Sequence, residues 1–78
     1  MNYYKRTFKG GAEYCASSGQ PDKIVSKILY ITVFWPNRYW LEQRMTFPYS
    51  DYERIGKMEF DNVYQKALET FNSILKPE

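Results

Sequence analysis

Cys15 is the single thiol of the chain, and there is no histidine to serve it as a base. A thiol acts as a nucleophile only where a neighbouring positive charge favours the thiolate. Arg6, which a hairpin would bring across from it, is the one neighbour that suggests itself, and a buried, inert thiol is the expectation. The lack of histidine also removes the commonest general base and the commonest metal ligand. One cysteine excludes an intramolecular disulfide and a cysteine-based zinc site. The acidic pairs have structural explanations. Ser50-x-x-Glu53 has the spacing of a helix capping box, and Glu59 and Asp61 suit the positive end of a helix dipole. The chain has 4 glycines, and they form neither a phosphate-cradling loop nor a G-x-S-x-G elbow. Lysine, arginine, tyrosine and glutamate can serve a small endoribonuclease without histidine, but no spacing marks such a site. No catalytic residue, metal ligand or cofactor is therefore assigned, and a non-enzymatic protein is expected.

What the chain does offer is rings: 8 tyrosines, 5 phenylalanines and 2 tryptophans, 19% of all residues. Around one hairpin they alternate with other residues. With the odd positions of 25–47 facing a core, the even positions Tyr30, Thr32, Phe34, Trp40, Glu42 and Arg44 face the other way. Tyr30, Phe34, Trp40 and Arg44 then make a surface that is apolar in the middle and charged at its edge, like the centre and rim of a protein interface. A stacking platform for single-stranded nucleic acid has the same look, with Lys5, Arg6, Lys9 and Lys27 as its phosphate contacts. A third reading puts the rings under the N-terminal hairpin as a second core layer. No RNA-recognition signature of the Lys/Arg-Gly-Phe/Tyr type is present.

The elements that must position these residues follow from turn chemistry and periodicity. Gly10-Gly11 supplies the positive φ of a tight hairpin turn between strands over 2–9 and 12–17, with Tyr4, Phe8 and Cys15 pointing inward. Residues 17–22 are turn-forming throughout. The second hairpin runs from Val25, and a three-residue loop at Pro36-Asn37-Arg38 would pair Trp35 with Tyr39, Val33 with Leu41, Leu29 with Met45, Phe34 with Trp40 and Tyr30 with Arg44. Residues 22–28 also fit a single helical turn behind Pro21-Asp22. A second short helical turn is read at 51–55. The helical stripe Phe60, Val63, Tyr64, Ala67, Leu68, Phe71, Ile74, Leu75 is the clearest periodicity in the chain, and Pro77 stops it.

These elements make one small α+β domain over residues 1–78: an antiparallel meander of about four strands in two hairpins, with one C-terminal helix packed on one face. The net charge of +2 is too small to argue for nucleic acid. Its distribution is uneven, since residues 1–49 hold seven cations against three anions and residues 50–78 four against six. Positive charge is thus expected on the sheet and negative charge on the helical end. Mean hydropathy is -0.65 and no apolar run reaches the roughly 20 residues of a membrane span, so a cytoplasmic protein without a leader or a membrane partner is expected. The functional expectation is a protein-binding inhibitor or adaptor that occupies a partner surface, the partner being another protein or a second copy. Small inhibitors encoded by phages and mobile elements are one class of that kind. The alternative is a sheet-face nucleic-acid binder.

Overall fold

The computed structural model describes residues 1–18 and 27–75, the last four of these by their backbone alone. Four strands of equal length form a continuous meander: β1 (Asn2–Phe8), β2 (Gly11–Ser17), β3 (Ile28–Phe34) and β4 (Arg38–Arg44). A fifth, β5 (Glu53–Ile55), pairs antiparallel with the free side of β1, giving the order β4-β3-β2-β1-β5. The helix α1 (Lys57–Leu75) follows directly. This is the expected antiparallel meander with a C-terminal helix packed on one face, with five strands instead of four. The choice between strand and helical turn for residues 22–28 falls largely outside the described residues, and β3 begins at Ile28.

Alternation divides the sheet into two faces. Odd residues of β1 and β3, even residues of β2 and odd residues of β4 meet the helix. There Ala16, Ile31 and Val33 pack with Phe60 and Ala67, flanked by Tyr3, Tyr14, Leu29, Tyr39, Leu41, Ile55, Val63 and Tyr64. Phe60, Val63, Tyr64 and Ala67 of the helical stripe therefore pack as the periodicity implied. Ala16 and Ala67 have a packing consequence: small side chains on both partners let the helix lie close to the central strands. The expected inward set of the first hairpin is right for Tyr4 and Cys15, which are buried, but they face away from the helix. Phe8 is only half-buried and meets Phe34 edge-on at a centroid distance of 6.0 Å.

Three local expectations need correction. The first turn is Lys9-Gly10, one residue earlier than expected, with Phe8 opposite Gly11. Gly10 takes the positive φ of 97°, whereas Gly11 is a strand residue kept small by close approach: a Cβ there would lie 2.0 Å from the Val33 carbonyl oxygen. The second hairpin has the expected three-residue loop, but it is Trp35-Pro36-Asn37, and the pairs are Ile31 with Leu41, Val33 with Tyr39, Thr32 with Trp40 and Phe34 with Arg38. The slip is two positions in pairing, so each residue keeps its face. Leu29 consequently meets Gln43 and Tyr30 meets Glu42, while Met45 is exposed. Trp35 leaves the sheet for the turn, where its N–H donates to the Gly10 carbonyl at 2.9 Å and ties the two hairpin ends together. Finally, residues 53–55 form a strand and not a helical turn. Glu53 is not a capping residue but the cross-strand partner of Lys5.

The helix interface yields a direct test. Phe60 is buried and touches Tyr3 at 5.1 Å between ring centroids, whereas Met58 two residues earlier is 78% exposed. Phe60→Ala should cost about 3–5 kcal/mol, a large share of the stability of so small a domain. Met58→Ala should shift the urea midpoint negligibly. Equal midpoints for the two variants would contradict this packing.

Candidate functional site

The face opposite the helix is built by even residues of β1, β3 and β4 and odd residues of β2. Its middle is covered by the segment 45–52, which leaves β4 at one edge of the sheet and crosses to β5 at the other. Phe47 and Tyr52 from this strap pack on Tyr4, Cys15, Ile28 and Tyr30. Phe47 meets Tyr4 edge-on at 5.6 Å and Tyr52 at 5.5 Å between centroids. Such tilted ring contacts place ring edges against π faces and contribute beyond the area they bury.

Polar groups fasten the strap. Glu13, on the central strand, is 7% exposed and accepts a hydrogen bond from the Tyr52 hydroxyl at 2.8 Å. Arg6 donates to Asp51 at 2.8 Å, lies 3.7 Å from Glu13 and stacks its guanidinium on the Tyr49 ring at 3.8 Å. A buried carboxylate is tolerable only when it is hydrogen-bonded and charge-compensated, and Tyr52 and Arg6 meet both needs. Among the described residues no buried side-chain nitrogen or oxygen lacks a partner. Burial, reinforced by hydrogen bonding to Glu13, raises the Tyr30 and Tyr52 hydroxyls well above their ordinary range. Burial pushes the Cys15 thiol up to about 12. Arg6 is engaged by Asp51 and Glu13, so the neighbour that could have activated Cys15 is committed elsewhere. The thiol is sealed and protonated.

The four residues read as a partner surface share this face but not one environment. Tyr30 is 4% exposed: it lies beneath the strap, with the Arg44 guanidinium 4.7 Å above its ring. A partner cannot reach it. The cover is the strap and not the N-terminal hairpin, whose strands lie within the sheet. Arg44 is exposed and bonded to Glu42 through Nε at 3.0 Å and an Nη at 2.9 Å. Phe34 and Trp40 stand clear of the strap, 46% and 59% exposed. They are diagonal neighbours on adjacent strands, since Phe34 opposes Arg38 and Trp40 opposes Thr32. Trp35, in the adjoining turn, is 57% exposed. Sequence reasoning missed Trp35 because the slipped register had placed it on the helix face.

The cations read as phosphate contacts are dispersed. Lys5 is on the helix face, 3.5 Å from Glu59 and 5.6 Å from the Tyr14 ring centroid. Arg6 is neutralised under the strap. Lys9 sits in the first turn, and Lys27 lies at the opposite end of the sheet, beside a cavity of about 280 Å³ lined also by Tyr3, Ala16, Leu29, Phe60 and Tyr64. Two cations of the sheet, Lys5 and Arg6, meet acids from residues 51–61. Among the described residues no group of three or more cysteine or acidic side chains could hold a metal ion. Comparison of the chain with protein-family models, curated proteins and solved structures finds no match.

The sealed cluster titrates in a defined direction. In the unfolded chain the Cys15 thiol ionises near its ordinary value of about 8.5, and in the fold only near 12. Its contribution to stability is therefore intact below about pH 8.5 and is lost as pH rises toward about 12, because the unfolded state sheds its proton first. Raised tyrosines act in the same sense. The urea midpoint should fall steadily above about pH 9. Tyr52→Phe removes the donor to Glu13 and should cost about 1–3 kcal/mol at neutral pH while accelerating thiol labelling of Cys15 by an aromatic disulfide. Unchanged labelling in that variant would show that the strap is not held by this bond.

Proposed function

We propose that this protein is a non-enzymatic binding module, an inhibitor or adaptor that works by occupying a surface of a partner protein. The observation that carries the reading is the exposure of Phe34, Trp35 and Trp40 together at one end of the sheet. Burying rings is how a domain of this size gains stability, and leaving three large ones in water forgoes that gain. Clustered, exposed aromatics bounded by charge (here Arg38, Glu42 and Arg44) are the composition of an interface centre and its rim. The patch stands on the paired strands and turn of the second hairpin, a rigid base that costs little entropy to present. A protein partner is favoured over nucleic acid because the lysines and Arg6 do not line a common track beside these rings. No helix among the described residues is long and apolar enough to cross a membrane. A free thiol persists in a reducing compartment, and we place the protein in the cytoplasm.

The test is affinity capture from the native host with wild-type and Trp40→Ala baits, with and without nuclease. Trp40 contributes mostly exposed surface, so its truncation should leave the melting temperature near wild type while weakening the captured complex by about 30-fold or more, the loss of about 2 kcal/mol expected of an interface aromatic. The captured partner should survive nuclease and depend little on salt. A complex that vanishes with nuclease and weakens steeply with salt would replace this reading with the nucleic-acid one, and equal binding by Trp40→Ala would refute the patch.

A further inference from the structure

β4 is the outer strand of the sheet, and no described element pairs with its far side. Which of its backbone groups face outward follows from one hydrogen bond. The Trp35 N–H points to the β2 side of β3, where it meets the carbonyl of Gly10, the turn residue next to β2 and in line with the Gly11–Phe34 register. Successive residues of an antiparallel ladder direct their N–H and C=O to opposite sides, so Phe34 directs its groups to β4 and forms a hydrogen-bonded pair with Arg38. The pairing continues without a bulge to Ile28 and Arg44. On β4, therefore, Arg38, Trp40, Glu42 and Arg44 bond to β3, and Tyr39, Leu41 and Gln43 present their N–H and C=O at the open edge. Exposed edges usually carry devices that block pairing, such as a bulge, a proline or charged side chains. Residues 38–44 contain no bulge and no proline, and their charges, Arg38, Glu42 and Arg44, are of both signs.

We propose that this edge is a self-association surface: β4 pairs antiparallel with β4 of a second copy, about a two-fold axis through Trp40, to give one continuous sheet across both copies. Only registers that set odd positions against odd positions bring the outward groups together, and centred on Trp40 these are Tyr39 with Leu41, twice. Centred on Trp40, Tyr39 meets Leu41 of the second copy on the helix face. On the other face Arg38 meets Glu42 twice and the two Trp40 rings adjoin at the axis. Centred on Leu41, Arg38 opposes Arg44 at both ends. Centred on Glu42, two carboxylates oppose each other, and centred on Tyr39 or on Gln43 the strand overlap shrinks to three residues. Opposite charges directly across a ladder stabilise it and like charges oppose it, so the sequence of β4 complements itself in one register. Both helices then lie on one side of the joined sheet, and Phe34 and Trp40 of both copies on the other. This deepens the partner-surface reading by doubling the patch, but it rests on the edge amides and charges, and its test reads association of the pure protein with itself.

Sedimentation of the purified protein should show a dimer. Arg38 makes no ion pair with another described residue of its own subunit. The Arg38→Glu variant therefore breaks nothing within the subunit, but it sets a carboxylate against the Glu42 carboxylate across the new ladder. It should raise the dimer dissociation constant about tenfold or more, a change of about 1.4 kcal/mol. The double variant Arg38→Glu/Glu42→Arg restores opposite charges across the ladder, with the Glu42–Arg44 pair of the subunit lost, and should associate more tightly than Arg38→Glu alone. Amide exchange at Tyr39 and Leu41 should slow with rising protein concentration, which a dimer joined through ring faces alone would not produce. A wild-type monomer up to about millimolar concentration would overturn the proposal and leave the partner-protein reading untouched. Tighter association of Arg38→Glu would overturn the register, since it is the outcome expected when residue 38 faces Arg44.

Discussion

The sheet has apolar side chains on both of its faces, and one helix can cover only one of them. Everything else in the structure answers that constraint. Ile31, Val33 and Ala16 look toward the helix, while Ile28, Cys15 and Tyr4 look away from it and are no less buried. The second face is closed by the irregular segment 45–52, which lacks the internal hydrogen bonds of a helix and must be held by side chains. Phe47 and Tyr52 supply apolar cover, and Asp51 and Tyr52 supply bonds to Arg6 and Glu13. Glu13 on the central strand is the anchor. Its burial would be costly in isolation, and Tyr52 from the strap joins Arg6 and Tyr30 of the sheet in compensating it.

How much of this was legible beforehand depended on the range of the interaction involved. The helix was legible because its periodicity is local and repeats over several turns. The face assigned to each residue of the second hairpin was also legible, because alternation survives a register slip of an even number. The register itself was not. Trp35 and Tyr39 are both large and apolar, and matching ring to ring looked better than setting Phe34 against Arg38. In the structure the Trp35 N–H bonds to the Gly10 carbonyl, in line with the β2–β3 register, and Phe34 is the last residue of β3, opposite Arg38. The short strand at 53–55 was invisible for a similar reason: so brief a run carries no period, and Glu53 becomes a strand residue only because β1 has an open side.

The candidate surface was legible in part. Phe34 and Trp40 emerge as expected on the face away from the helix, but Tyr30 on the same face is covered while Trp35, in the adjoining turn, is exposed. Alternation states which side a residue faces, not what lies above it, and the strap is too irregular to leave a signal. Charge was legible as a sum and misleading as a location. Lys5 and Arg6 are adjacent in sequence and therefore on opposite faces, one meeting the helix through Glu59 and the other the strap through Asp51. Two cations that seemed a pair are fasteners for two different covers.

The pairing of β1 with β5 has a consequence for the order of assembly. The two hairpins close at Lys9-Gly10 and at Trp35-Pro36-Asn37 and can form early, since short loops cost little entropy to close. Joining Tyr3 to Ile55 waits for most of the chain to come together, and the helix begins only just beyond it. The strap, the edge strand and the helix thus lie on the late side of folding, where non-local contacts set the rate. Until they arrive, the early meander shows water two apolar faces instead of one exposed corner. A chain without the strap and helix is therefore the form in which most apolar surface is open to a wrong neighbour.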